Sequence, residues 1–158
     1  KNLFNDLESK NIFELIEDII ETCIKIKAKI VIKDEKDYGI RQILNYGHTI
    51  GHAIEQDSHY ALLHGEAIAI GMAIISKKEK FHNRLTRLLK KYNLPVSYNY
   101  DVQILFNYIL TDKKVSNNKL NIILVEEIGN GFIKTININE IKNYLRWLDE
   151  FIWYKNTY

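Results

Sequence analysis

The chain has 158 residues, 46% of them apolar and 27% charged, a balance typical of a single soluble globular domain covering residues 1–158. Its net charge is only +2 and its basic residues are scattered among acidic ones, which argues against nucleic-acid or membrane partners recognised by charge alone. The longest apolar run, residues 67–75, is too short to span a bilayer, and no signal-peptide pattern opens the chain. We therefore expect a cytoplasmic protein.

Two residue types that occur once each add to this picture. Cys23 is the single cysteine, so an internal disulfide is excluded and the chain fits a reducing compartment. Because Cys23 lies in an apolar helical stretch, we expect its thiol to be buried and to pack rather than react. Met72 is the only methionine, so we do not expect Lys1 to be an initiator position. We expect the chain to be a domain trimmed or excised from a longer protein.

Helical patterns occupy most of the chain as far as residue 110. Asn11 followed by Glu14 is typical of a capping box, and the apolar residues after it repeat at helical spacing. A polar loop is predicted over residues 34–39, and Pro95 prevents a later helix from continuing. The predicted helices cover approximately residues 1–10, 11–31, 40–56, 64–75, 85–92 and 101–110.

The pattern changes after residue 119. Two short runs rich in β-branched and apolar residues, 120–125 and 132–136, flank the Gly-Asn-Gly segment 129–131, which predicts a small β-hairpin. Asn139 is then placed to cap a final helix. The aromatic-rich tail 147–158 either packs on the domain or contacts a partner. The predicted fold is mainly α and multihelical, with one small β-hairpin.

Small residues recur at helical spacing in the central segment. They are Gly47 and Gly51 in one predicted helix, and Gly65, Ala69 and Ala73 in the next. A glycine inside a helix costs about 1 kcal/mol relative to alanine, so the glycines need a structural reason. Strips of small residues allow two helix backbones to approach closely. We therefore expect this helix pair to bring His48 and His64 near one another.

The histidines of the central segment are candidate metal ligands. Imidazoles from adjacent helices, such as those of His48 and His64, would form a partial zinc site that still lacks a third protein ligand. Spacing alone favours a different pair, His48 and His52, which lie one helical turn apart. The alternative interpretation is that each histidine is a hydrogen-bonded interior residue that binds no metal.

Polar residues in the same segment predict a ligand-binding stripe. Four of them are spaced to fall largely on one side of the predicted helix 40–56, opposite apolar residues such as Ile43 and Ile50. The four are Arg41, Asn45, His48 and His52. Such a stripe suits an anionic, hydroxylated ligand in a cleft, and a solvated helix face is the alternative.

The run from Arg41 to Glu55, followed by residues 62–72, resembles the signature of the 3-dehydroquinate synthase family. Weaker similarity extends to three flanking segments, 27–29, 34–41 and 112–114. The central block combines arginine, asparagine, histidines and glycines at fixed offsets, a combination that chance would not reproduce. The resemblance covers residues 10–145 in order.

The resemblance implies a metal- and substrate-binding carboxy-terminal domain. It assigns zinc or cobalt to His48 and His64, together with a glutamate expected upstream of Lys1, and it assigns His52 to the substrate. Asp37 stands where the family usually has a glutamate. The implied substrate-binding residues are Lys27, Asp37, Arg41, Asn45, His52 and, for the phosphate, one of Lys113 and Lys114.

The implied reaction converts 3-deoxy-D-arabino-heptulosonate 7-phosphate, an anionic sugar-acid phosphate, into 3-dehydroquinate and phosphate in the shikimate pathway. The family uses NAD⁺, and this chain has no glycine-rich strand–helix turn for a dinucleotide, so we expect the amino-terminal NAD-binding domain to be absent here. The isolated chain should then be inactive, and the complete carbon–oxygen lyase should be a homodimer. Alternatives are another sugar-phosphate cyclase, a metal-dependent polyol dehydrogenase domain, or a non-catalytic helical metal-binding module.

Overall fold

The computed structural model describes residues 1–111 and 115–146. This part of the chain is mainly helical, as predicted, and carries one small antiparallel sheet. Two 3-10 segments, Ile40–Asn45 and Ile138–Ile141, supplement its α-helices. The α-helices are α1 (Asn2–Ser9), α2 (Ile12–Lys33), α3 (His48–Asp57), α4 (His64–Ile75), α5 (His82–Lys91), α6 (Val102–Thr111) and α7 (Lys142–Leu145).

Helix α2 begins where the sequence predicts, because the Asn11 side chain accepts a hydrogen bond from the Phe13 amide at 3.1 Å. In this 22-residue helix only Leu15 is buried. Cys23 is exposed, so the prediction of a buried thiol was wrong, because little of the apolar surface of α2 is covered. Neither α2 nor any other described helix is both long enough and apolar enough to cross a membrane.

The predicted helix 40–56 is interrupted. Residues Ile40–Asn45 form a 3-10 segment, and α3 begins only after Gly47. Gly47 has φ of +79°, a left-handed conformation that does not continue a right-handed helix. A Cβ at Gly47 would also lie 2.7 Å from the Met72 backbone nitrogen, so the break lies where the chain contacts α4.

This interruption contradicts the predicted polar stripe. Arg41 and Asn45 belong to the 3-10 segment, whereas His48 and His52 belong to α3. The spacing argument assumed one continuous helix of 3.6 residues per turn, and the left-handed turn at Gly47 redirects the chain. The four residues therefore do not share one helix face.

Helices α3 and α4 approach each other closely, as the small residues predict. On the α4 side, however, the glycine at the contact is Gly71 and not Gly65. A Cβ on Gly71 would overlap the Gly47 carbonyl oxygen and would lie 2.8 Å from the Gly51 nitrogen. A Cβ on Gly65 would have nothing within 4 Å, so the predicted packing role of this residue was wrong. Gly65 is exposed in the first turn of α4, away from the contact with α3.

The sheet has three antiparallel strands in the order β1-β2-β3. Its strands are β1 (Val115–Ser116), β2 (Lys119–Glu127) and β3 (Asn130–Asn137). Strands β2 and β3 form the predicted hairpin, in which Leu120 lies opposite Ile136 and Ile123 opposite Ile133. The short strand β1 was not predicted. Leu120 and Ile136 are buried, so this end of the sheet packs on the helices.

The last helical segment begins two residues earlier than predicted. Asn137, not Asn139, is the cap: its side chain accepts a hydrogen bond from the Asn139 amide at 3.0 Å. Glu140 accepts a hydrogen bond from the Asn137 amide at 2.9 Å, which completes a capping box. The helical turn therefore starts directly where β3 ends. The aromatic tail 147–158, predicted to pack on the domain or to contact a partner, lies outside the described residues.

The main core lies between α3, α4, α6, the sheet and the carboxy-terminal turns. Its deeply buried side chains are Ile50, Ile54, Ile70, Leu105, Ile109, Leu120, Ile122, Ile141 and Leu145. Burying a side chain of this size contributes about 1.5–3 kcal/mol. The inner faces of α3 and α4 pack in this core, which thereby fixes the positions of the two helices that carry the candidate site.

Candidate metal centre

Three histidines converge where α3 and α4 begin. His48 is the first residue of α3, His52 lies one turn further along it, and His64 is the first residue of α4. The ring centroids are 5.4 Å apart for His48 and His52, 5.6 Å for His48 and His64, and 5.7 Å for His52 and His64. Each ring offers a nitrogen within 4.8 Å of a nitrogen on the other two. The expected proximity of His48 and His64 is therefore observed, and His52 joins them.

Acceptors outside the cluster lie beside two of the imidazoles. Nδ1 of His48 lies 3.2 Å from the carbonyl oxygen of Tyr46. Nδ1 of His64 lies 3.3 Å and 3.2 Å from the two carboxylate oxygens of Glu55. An ionised carboxylate can only accept, so Nδ1 of His64 carries the hydrogen that this contact requires. In a metal site, such contacts leave the other ring nitrogen as the ligand atom.

The donor set fits a transition-metal ion. Neutral imidazole is a preferred ligand of Zn²⁺ and Co²⁺, and three rings within one cluster can supply up to three of the four ligands of a tetrahedral site. The cluster is half-exposed, with His64 on its open side, so a further ligand or a substrate can approach. Among the described residues, these three histidines form the group that could hold a metal ion.

A cavity of about 180 Å³ lies beside the amino-terminal end of α3. Two predicted site residues, Asp37 and Asn45, line it. The residues that complete its lining are Gln42, Thr49, Asn121 and Ile123. These four were missed in the sequence. Two of them, Asn121 and Ile123, come from β2, far along the chain from the motif. An asparagine within the otherwise apolar run 120–125 was the available signal.

Polar contacts hold one wall of this cavity in place. The Asn121 side-chain amide donates to the Gln42 side-chain oxygen at 3.0 Å, and the Thr135 hydroxyl donates to the Asn121 oxygen at 2.7 Å. This chain of bonds connects the 3-10 segment to both long strands. The cavity is therefore a built part of the fold, made from segments about 80 residues apart.

Asp34 organises the loop that leads into the site. Its carboxylate accepts hydrogen bonds from the backbone amides of Arg41, Gly39 and Tyr38 at 3.0, 2.8 and 3.1 Å. The Arg41 amide, with help from the other two, holds the pKa of the Asp34 carboxyl below its ordinary value. The Arg41 guanidinium donates to the Glu35 carbonyl oxygen at 2.7 Å. Both the backbone and the side chain of Arg41 are thus bonded to the loop 34–39, which also carries Asp37 of the cavity lining.

A pair of hydrogen-bonded hydroxyl groups connects the segment before α3 to α4. The Tyr46 hydroxyl is hydrogen-bonded to Ser76, whose own hydroxyl donates to the Met72 carbonyl oxygen at 2.8 Å. Burial raises the pKa of Tyr46 to about 12. This contact joins Tyr46, directly after the 3-10 segment, to Ser76 at the end of α4.

A family model described as "3-dehydroquinate synthase C-terminal" matches residues 1–115. The chain belongs to this family. It is 42% identical over 146 residues to the 3-dehydroquinate synthase of Streptococcus pneumoniae (strain JJA), covering 86% of this chain and 41% of that protein. It is 40% identical over 158 residues to the 3-dehydroquinate synthase of Lactococcus lactis subsp. cremoris (strain MG1363), covering 92% and 44%. The chain thus spans about two fifths of the length of these curated relatives.

Solved structures share the fold of this chain. A crystal structure of 2-deoxy-scyllo-inosose synthase complexed with carbaglucose-6-phosphate, NAD⁺ and Co²⁺ superimposes with a TM-score of 0.70 at 27% identity, covering 84% of this chain and 42% of that one. A second structure of 2-deoxy-scyllo-inosose synthase gives 0.64 at 27% identity, covering 84% and 40%. The predicted mainly α fold of this family is therefore confirmed.

The residues predicted from the family motif fall in three places. His48, His52 and His64 form the cluster. Asp37 and Asn45 line the adjacent cavity, whereas Arg41, in the 3-10 segment, is not among the lining residues and its guanidinium donates to the Glu35 carbonyl oxygen. Lys27 is exposed on α2 and belongs neither to the histidine cluster nor to the described cavity lining. Lys113 and Lys114 lie outside the described residues.

Proposed function

We propose that this chain is the metal- and substrate-binding domain of a 3-dehydroquinate synthase, and that the rest of a longer protein supplies the NAD⁺-binding part. The convergence of three histidines beside a polar cavity, in a chain of this family, is the observation that carries the proposal. A single domain over residues 1–158 is part of this proposal. The complete enzyme would be a cytoplasmic homodimer, and the isolated chain would be inactive.

His48 and His64 would hold Zn²⁺ or Co²⁺, with a glutamate from the longer protein as a further ligand. The Co²⁺ in the related 2-deoxy-scyllo-inosose synthase structure supports a divalent ion in this fold. When bound, such an ion supplies a Lewis acid that polarises a substrate oxygen. The family resemblance assigns His52 to the substrate. Its ring lies 5.4 Å from that of His48 and 5.7 Å from that of His64, so one of its nitrogens could exchange a hydrogen bond or a proton with a hydroxyl bound beside that pair.

The substrate would be 3-deoxy-D-arabino-heptulosonate 7-phosphate, which carries a carboxylate and a phosphate. Asn45 in the cavity wall would donate to a substrate oxygen, and Asp37 would accept from a hydroxyl. Arg41 would bind an anionic group, since its guanidinium lies at the loop beside the cavity. Lys27 and one of Lys113 and Lys114 would complete the cationic contacts. The products would be 3-dehydroquinate and phosphate, within the shikimate pathway.

A second candidate is another sugar-phosphate cyclase. The two similar solved structures are 2-deoxy-scyllo-inosose synthases, and one of them holds a sugar-phosphate analogue. The two candidates differ in the substrate: a heptulosonate phosphate carries a carboxylate that a hexose phosphate lacks. Comparing turnover of the two substrates by a complete enzyme therefore separates the candidates, and preference for the hexose phosphate would favour the second.

The experiment that tests the metal assignment uses a full-length enzyme that carries this domain. His48→Ala and His64→Ala should remove bound zinc and activity together, while His52→Ala should keep zinc and lose activity. His59→Asn is the matched control, because His59 is exposed outside the cluster at φ of +51°, which asparagine tolerates. Zinc content is measured by atomic absorption. Zinc that is lost in His52→Ala but retained in His64→Ala would refute the assignment in favour of the pair suggested by spacing.

Turnover by the 158-residue chain alone, with NAD⁺ and Zn²⁺ added, would contradict the proposal that the chain needs the rest of the enzyme.

A further inference from the structure

Glu55 lies on α3 three residues after His52 and seven after His48, so it shares their helix face. From there its carboxylate reaches across to α4, where both oxygens lie within 3.3 Å of Nδ1 of His64. We infer that Glu55 is a positioning residue, which fixes the ring orientation and the tautomer of His64 and thereby strengthens metal binding. This inference rests on the proposed function of His64 as a metal ligand.

The environment of His64 explains why a positioning residue is needed. The His64 side chain is 57% exposed, at the first residue of its helix, so few packing contacts restrict the ring. Glu55 is only 19% exposed and is therefore the better-held partner of the two. An exposed ring that rotates freely would lose side-chain entropy on binding a metal ion, and a preformed hydrogen bond reduces this cost.

The contact also selects a tautomer. A carboxylate accepts hydrogen bonds and does not donate them, so the Glu55 contact places the hydrogen of neutral His64 on Nδ1. Nε2 then keeps the lone pair that a metal ion requires. Pairing of a histidine ligand with a carboxylate in this way also holds the ring in the orientation that binds the metal.

Glu55 itself does not act as a ligand in this arrangement. The group of described side chains whose donor atoms lie within 4.8 Å of one another contains three histidines and no carboxylate. A second acid nearby has a different role: Glu66 accepts a hydrogen bond from the Leu63 amide at 2.8 Å and so caps α4. Glu66 is thus close to His64 along the chain, whereas Glu55 is the one of the two glutamates whose carboxylate contacts the His64 ring.

This difference supplies the experiment. Co²⁺ affinity of the full-length enzyme is measured by visible absorption for the wild type and for Glu55→Ala, Glu55→Gln and Glu66→Gln. Glu55→Ala should weaken Co²⁺ binding by about 10- to 100-fold, as removal of a carboxylate behind a histidine ligand usually does. Glu55→Gln keeps a neutral acceptor and should lose less. Glu66→Gln removes a similar charge but can still cap Leu63, so its affinity should stay within about twofold.

A second measurement tests the cause without metal. Long-range ¹H–¹⁵N NMR of the metal-free chain should show His64 with its hydrogen on Nδ1 in the wild type and on Nε2 in Glu55→Ala. A purely structural role of Glu55 would not change this tautomer. Far-UV circular dichroism of each variant checks that it is folded, and Glu55→Gln serves as the second variant if Glu55→Ala is not.

Two results would overturn the inference, and they are distinguishable. If His64→Ala loses Co²⁺ while Glu55→Ala binds it within about twofold of the wild type, Glu55 does not position the ligand although the proposed site stands. If His64→Ala retains Co²⁺, the proposed metal assignment fails and the role of Glu55 fails with it. A weakened Glu55→Ala together with the tautomer change supports the inference.

Discussion

Helix α2 and the pair α3–α4 are both rich in apolar residues but are packed in opposite ways. In α2 one residue of 22 is buried, and side chains such as Phe13 and Ile24 are 85% and 61% exposed. In α4 eight residues of 12 are buried, three of them alanine and one glycine. Hydrophobic periodicity therefore identifies a helix in both regions, but it does not reveal whether the apolar face is covered within the chain.

The same difference separates the predicted site residues. The histidine cluster and the cavity lie on or beside the α3–α4 pair, whose inner faces are held by the core. Lys27 follows Ile20 and Ile24 on the same face of the exposed helix α2, at spacings of seven and three residues. A site needs ligands placed to within about 0.5 Å, and packed helices provide this more readily than a helix with one buried residue.

The largest effect on stability is expected for a substitution at the contact between α3 and α4. Gly71→Ala should destabilise the chain by about 3 kcal/mol or more, because its Cβ would meet the backbone of Gly47 and Gly51, which cannot move without separating the helices. Gly65→Ala is the matched control. Its Cβ would have no atom within 4 Å, so the substitution should be neutral or should stabilise the chain by up to about 1 kcal/mol. Urea unfolding monitored by circular dichroism measures both. Equal stabilities would contradict the close contact.

A matched pair of isoleucines tests the comparison directly. Ile54→Ala removes a side chain with 0% exposure in α3 and should cost about 3 kcal/mol through lost burial and the cavity left behind. Ile24→Ala makes the same chemical change on α2 and should alter stability by no more than about 0.5 kcal/mol. The difference between the two urea midpoints is the measurement. A large loss in Ile24→Ala would mean that the apolar side of α2 is covered in solution.

The smallest effect concerns how the stability of the folded chain depends on alkaline pH. Tyr46 has its pKa raised to about 12 in the folded chain, whereas an unfolded tyrosine has a pKa of about 10. As the pH rises, tyrosine in the unfolded state therefore ionises first. The contribution of neutral Tyr46 to the free energy of unfolding is on the order of 2 kcal/mol. It is fully present below a pH of about 10 and is lost as the pH rises towards about 12.

Tyr46→Phe removes this titration and is the control. Stability of Tyr46→Phe should fall less steeply than that of the wild type over the same alkaline range. Tyr98 and Tyr144, whose pKa values are also raised by burial, remain in both proteins and cancel in the difference. Parallel curves for the two proteins would show that the Tyr46 hydroxyl is not buried against Ser76.

The predictions made from the sequence differ in accuracy for physical reasons. The start of α2 was predicted because Asn11 and the apolar spacing after it act locally. The interruption before α3 was missed because the conformation of Gly47 depends on the backbone of Met72, which lies on another helix. The cap at Asn137 was missed because strand β3 determines where the chain leaves the sheet.

The candidate site shows the same division. Motif residues identified the family and brought His48, His52 and His64 forward as candidates, since residue types at fixed offsets are visible in a sequence. The contact of Glu55 with His64 and the bond between Asn121 and Gln42 could not be predicted, as each joins side chains from different elements.

The sequence by itself determined most helices, the hairpin, the family and the residue types of the site, because capping, periodicity and motif spacing are local properties of the chain. Only the tertiary structure decided that Gly71 rather than Gly65 allows α3 and α4 to meet, and that β2 closes the cavity. It also decided that Glu55 lies behind His64. Close packing sets these contacts through backbone positions that no local pattern encodes.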